Sequence, residues 1–167
     1  VTATYFVALQ MVRNEETYII REFIKGFKEN FIFSTKVWSI ILIIGLVLSF
    51  DFYISKLILN EYMRITLQFI LTIVSIIFIF LLTYVFPIIS KFENTIKNTM
   101  INSILISIQH LPKTIFMVFI NLSPIILTLI LSNYWGHILF FYTVMGFASI
   151  TYINSMFFNK IFEKYIV

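Results

Sequence analysis

The chain has 167 residues, 60% hydrophobic and only 12% charged, with a formal net charge of +4 and no Cys. Soluble domains carry about 25% charged residues, so this chain lacks the polar side chains to cover a globule, and lipid must solvate much of it. The absence of Cys excludes disulfides, thiolate metal sites and cysteine nucleophiles. The positive charges flank apolar blocks, where they set orientation and attract anionic lipid rather than nucleic acid.

Residues 1–12 are apolar but shorter than the about 20 needed to cross a bilayer. They read as the tail of a span or as an interfacial helix, and a chain opening on Val1 within an apolar run is expected to lack an N-terminal segment. A charged break follows at Arg13-Asn14-Glu15-Glu16, with Thr17 as the expected helix cap. The spacing predicts an amphipathic helix over 17–33, with Ile19, Ile20, Phe23, Ile24, Phe27 and Phe31 on one stripe and Arg21, Glu22, Lys25, Lys28 and Glu29 opposite. Such a helix either packs on its own protein or lies in the headgroup plane.

Residues 36–56 form the first complete predicted span, about 31 Å long at 1.5 Å per residue. Trp38 and Tyr53 fall near its ends, at interface positions. Asp51 is a carboxylate about one turn inside the far end. Either it is hydrated or hydrogen-bonded at the interface, or it faces a polar cavity or pairs with Lys56 or Arg64. A second span is predicted over 65–90, with Pro87 expected to break the helix.

Residues 91–112 are too polar to span and too apolar for a solvated loop. They predict a second amphipathic helix, with Phe92, Ile96, Met100, Ile104 and Ile108 on one face, Ser90 as N-cap and Glu93 completing a capping box. Pro112 is expected to end it and to force an extended 110–111 entry to the next span. Spans follow at 114–131 and 138–159, joined by an aromatic turn at 132–137. In the third span Pro124 leaves the Ile120 carbonyl without its usual partner, which a neighbouring Ser or Asn, or a water, can satisfy. Asn154 and Ser155 read as helix–helix hydrogen-bonding groups, and residues 160–167 as a short amphipathic tail.

The predicted architecture is therefore an all-α, polytopic helical membrane protein in a single membrane domain, with four complete transmembrane helices and two cytoplasmic-face amphipathic helices. Arg13, Arg21, Lys25, Lys28, Lys36, Lys91, Lys97, Lys113, Lys160 and Lys164 fall on one side, and only Lys56 and Arg64 on the other. The positive-inside rule places the richer side and the C-terminus in the cytoplasm of a multi-pass cell-membrane protein. The unit of amphipathic helix, span, span occurs twice, and Ile24-Lys25 and Asn30 recur as Ile96-Lys97 and Asn102.

No His or Cys cluster has metal spacing, and there is no Gly-rich phosphate loop and no G-x-S-x-G. His110 and His137 fall on opposite sides of the membrane in this topology. No enzyme activity, cofactor or metal is expected. The cytoplasmic coupling loop of ATP-driven importers has Glu-Ala-Ala, a Gly and then Leu-Pro; Glu93 precedes Leu111-Pro112 at that separation, with Asn94, Thr95 and Thr99 in place of the two Ala and the Gly.

Thr2-Ala-Thr-Tyr-Phe-Val-Ala-Leu-Gln-Met-Val-Arg-Asn-Glu-Glu, within residues 1–27, resembles the early stretch of the YesL-like family, small integral membrane proteins of Gram-positive bacteria. Phe50-Asp51, Phe86-Pro87 through Phe92-Glu93-Asn94-Thr95, His110-Leu111-Pro112-Lys113, Tyr152-Ile153-Asn154-Ser155 and Phe158-Asn159-Lys160-Ile161-Phe162 resemble it too. The resemblance implies a further hydrophobic segment before the Thr-Ala motif and no assigned biochemical activity. Genes of this family often stand beside sugar importers and sensor-regulator pairs, which implies an accessory role in carbohydrate uptake. The candidate functional polar positions are Asp51, Glu93, Asn94, His110 and Lys113. The expected function is a non-enzymatic accessory component linked to carbohydrate uptake or sensing, meeting the lipid bilayer and a transporter or sensor subunit through its cytoplasmic helices. The alternative is a permease subunit of an ATP-driven sugar importer or a small transporter.

Overall fold

The computed structural model describes residues 1–15 and 18–165, so the expected cap at Thr17 lies outside the described residues. It contains seven α-helices among the described residues: α1 (Thr2–Val12), α2 (Ile19–Ser55), α3 (Glu61–Lys91), α4 (Ile96–Gln109), α5 (Leu111–Ile130), α6 (Trp135–Phe141) and α7 (Phe147–Phe162). A 3-10 turn, Ser132–Tyr134, precedes α6, and a π-helical stretch, Tyr142–Gly146, joins α6 to α7. Four segments are long and apolar enough to cross a membrane: α2, α3, α5 and Ser132–Phe162. The protein is all-helical and multi-pass.

The first amphipathic segment and the first span are one helix. Residues 34–36 hold no Gly or Pro to stop α2, and Thr35 Oγ1 and Ser39 Oγ bond back to the carbonyls of Phe31 and Thr35 at 2.7 and 3.0 Å. The 37 residues of α2 extend about 55 Å, beyond a hydrocarbon core of about 30 Å. The surplus carries Arg21, Lys25, Lys28 and Lys36, at the lysine-rich end of the bundle.

Pro87 does not break α3, which runs on to Lys91. Pro87 is itself fully buried, and Tyr84, Val85, Phe86 and Ile88 around it are buried too. Packing on both sides holds the helix where one backbone hydrogen bond is missing. The chain then turns over residues 92–95, and α4 packs back on α3. Its cap is Thr95, whose side chain accepts from the Asn98 N–H at 3.3 Å; Ser90 lies inside α3 and donates to the Pro87 carbonyl. Glu93 is therefore outside any capping box. The buried face of α4 takes in most of the expected one and is centred beside it: Ile96, Met100 and Ile104 pack partly buried against the core, Thr99, Ser103 and Ser107 next to them are fully buried, and Ile108 is exposed. Each of the three hydroxyls donates to a carbonyl one turn back, so these small side chains bring no unsatisfied polar group into the contact.

α4 ends at Gln109 and α5 begins at Leu111, with His110 alone between them at φ −115° and ψ 38°. The entry is a one-residue joint rather than an extended pair, and Pro112 sits in the first turn of α5, where its missing N–H costs nothing. Thr114 bridges the joint. Its hydroxyl donates to the Ser107 carbonyl at 2.8 Å and accepts from the Tyr84 hydroxyl at 2.7 Å, tying α3, α4 and α5 together. In α5, Ser123 Oγ donates to the Ile120 carbonyl at 2.7 Å, filling the place that Pro124 leaves open.

α1 is a core helix and not an interfacial one. It lies against α2, α3 and α7, and Ala3, Tyr5, Val7, Ala8 and Leu9 are buried. It runs antiparallel to the first half of α2: Thr2 bonds Ser34 at 2.8 Å, and Phe6 lies over Gly26. A Cβ on Gly26 would come within 2.8 Å of the Phe6 ring, so this crossing requires glycine.

The core gathers at the lysine-rich end, where Tyr5 and Tyr84 both meet Phe158 edge-on and Phe92 meets Phe162. The far halves of the spans expose Leu46, Phe50, Phe69, Ile73, Leu129 and Ile130. An apolar surface this continuous requires lipid around it.

Candidate functional site

The polar cleft of the lysine-rich end brings together two of the sequence-predicted positions. It is bounded by α1, the first half of α2, the end of α3 and the link at 92–95, with a volume of about 590 Å³. Glu93 and Asn94 line it with Glu29, Asn30, Ser90 and Lys91, and Phe6, Phe33, Ile89 and Phe92 supply apolar wall. Asn30 Nδ2 donates to the Gly26 carbonyl at 3.0 Å, which fixes the amide on α2. Glu93 is exposed and Asn94 half-buried. Two carboxylates, one ammonium, two amides and a hydroxyl beside aromatic walls can hydrogen-bond a polar segment and cover its apolar side chains. Neither histidine lines this cleft.

The other candidates lie elsewhere. His110 and Lys113 sit at the opposite end of α4, both half-buried. Burial, then the charges of Lys164 and Lys113, holds the His110 imidazole below the usual histidine range. Asp51 is near the far end of α2, half-exposed, and among the described residues it pairs with neither Lys56 nor Arg64. The nearby polar link between α2 and α3 is made instead by Gln68 Nε2 and Ser55 Oγ at 3.4 Å.

Sequence reasoning missed Glu29, Asn30 and Lys91 as companions of Glu93. Glu29 and Asn30 come from α2, distant in the chain from Glu93, and Lys91 had counted only as a positive charge that sets orientation. A second cavity, of about 560 Å³, is apolar and lies between α1, the start of α2 and α7, with Val7, Met11, Ile19 and Tyr152 on its walls. Among the described residues no group of three His, Cys, Asp or Glu is close enough to hold a metal ion.

A family model described as "Protein of unknown function, DUF624" matches residues 1–52, which cover α1 and most of α2. No curated protein and no solved structure matches the chain. The matched stretch contains the Thr2–Ser34 bond and the Phe6–Gly26 crossing, so over those helices the chain is similar to an uncharacterised family.

Proposed function

We propose that the chain is a non-enzymatic accessory component of the cell membrane, with its lysine-rich end and C-terminus in the cytoplasm, where it engages a transporter or sensor subunit. The observation that carries this reading is the polar cleft at Glu93 and Asn94. It opens at the end of the bundle where the buried core gathers, with three helices supplying its walls, and preorganisation of that kind favours binding. The distribution of Lys and Arg supports the orientation. The resemblance to the YesL-like family supports the link to carbohydrate uptake or sensing. A photo-crosslinking residue in place of Asn94 should form an adduct with a transporter or sensor subunit in intact cells, and one in place of Tyr62 should not. No adduct at Asn94, or the same adduct from both positions, contradicts the reading. A deletion strain should differ from its parent in growth or uptake on at least one carbohydrate.

A permease subunit is the second reading. Glu93 precedes α4, and Leu111-Pro112 opens α5, so the Glu and Leu-Pro pair brackets an exposed-faced helix of 14 residues that an ATPase could receive. It predicts that Glu93→Ala lowers uptake of the transported sugar; unchanged uptake across candidate sugars removes it.

A further inference from the structure

Besides its cleft, the lysine-rich end carries a second polar cluster, built around the joint of α4 and α5. His110 is that joint, and Lys113 follows within the first turn of α5. The end of the chain folds back onto it. Tyr165 meets the His110 ring edge-on with centroids 6.3 Å apart, its oxygen lies 3.4 Å from His110 Nε2, and its hydroxyl donates to Gln109 Oε1. This contact brings Lys164 to the same place, where both lysines act on the His110 ring. Among the described residues neither lysine is in an ion pair, and Glu163, next to Lys164, accepts from the Asn159 amide at 2.8 Å.

Depth follows from α5. Its 20 residues extend about 30 Å, the thickness of the hydrocarbon core, so its first turn lies at headgroup level. Beyond Lys113 the same helix exposes Ile115, Phe116 and Phe119, an apolar track into the bilayer. Two ammonium groups gathered at that depth repel each other, and an anion between them removes the repulsion.

We propose that Lys113 and Lys164, gathered at the His110 joint by Tyr165, bind the phosphate of an anionic phospholipid headgroup, whose acyl chains follow the exposed side of α5. The proposal rests on the membrane architecture and not on the accessory role. Each lysine offers three donors to the phosphate oxygens, and the apolar track distinguishes a lipid from free phosphate.

The test is titration of the purified, delipidated full chain in neutral detergent, followed by native mass spectrometry, with phosphatidylglycerol, phosphatidylcholine and inorganic phosphate as separate probes. Phosphatidylglycerol should bind about tenfold or more tightly than phosphatidylcholine, and Lys113→Gln with Lys164→Gln should remove that preference. Lys113→Arg with Lys164→Arg, which keeps both charges, should retain it, as should Lys56→Gln at the far end. Equal binding of the two lipids, or an unchanged preference in the double Gln variant, overturns the proposal. Competitive displacement of phosphatidylglycerol by millimolar inorganic phosphate overturns the lipid as the source of the phosphate.

Discussion

Asn154 is fully buried on α7, and its Nδ2 donates to Asn121 Oδ1 on α5 at 2.7 Å. Hydrogen bonds between membrane helices contribute about 0.6 kcal/mol on average and up to about 1.7. A double-mutant cycle of Asn121→Leu and Asn154→Leu, measured by unfolding in micelles, should therefore give a coupling energy in that range; strict additivity would show that the pair does not join the helices. Thr114 carries more, because two buried partners depend on it. Thr114→Val leaves the Tyr84 hydroxyl and the Ser107 carbonyl without their partner and should destabilise by about 1–3 kcal/mol, whereas Thr114→Ser should recover most of the loss. The Asn154 bond and the Ser123 repair at Pro124 were legible in the sequence, because a polar group or a proline within a span calls for a local partner. The Thr114 bridge was not, because Pro112 predicts an extended entry at 110–111, and only the one-residue joint at His110 brings Thr114 back to Ser107.

Helix boundaries show what periodicity can and cannot carry. Four apolar blocks were plain from composition, since lipid leaves few alternatives to a helix. The continuity of α2 was not, because the polar residues Ser34, Thr35 and Lys36 resemble a break yet are compatible with a helix once the hydroxyls bond the preceding turn. On α4, hydrophobicity found Ile96, Met100 and Ile104, which pack on the core, but not the centre of the contact; the buried Thr99, Ser103 and Ser107 satisfy their own polar atoms and pack as small side chains. The α1–α2 crossing offers a direct test at this scale. Gly26→Leu drives a side chain into Phe6 and should cost about 1–3 kcal/mol, read as a lower unfolding midpoint in detergent; an unchanged midpoint would mean that α1 is not seated as described.

The joint between α4 and α5 also has a pH dependence. The folded state holds His110 below its ordinary value, so the folded chain binds fewer protons there than the unfolded chain. The stability this group contributes is present above the unfolded value, about 6.5, and is lost as pH falls through the folded value. NMR titration of His110 should give a midpoint below that of the unfolded chain, and Lys164→Gln should raise it.

At the scale of the molecule, the bundle has two different ends. One holds the aromatic core, the polar cleft and ten of the twelve Lys and Arg residues; the other exposes apolar side chains along all four spans. The cleft was the least legible feature, because Glu29 and Asn30 meet Lys91 and Glu93 only once α2 and α3 pack against each other. The proposed orientation puts the cleft-bearing end in the cytoplasm, and the absence of Cys makes that side directly measurable. Single cysteines at Asn98 and at Tyr62 can be challenged with a membrane-impermeant thiol reagent in right-side-out and inverted vesicles. Asn98→Cys should react only in inverted vesicles and Tyr62→Cys only in right-side-out ones; the reverse pattern, or reaction of both from the same side, contradicts the account.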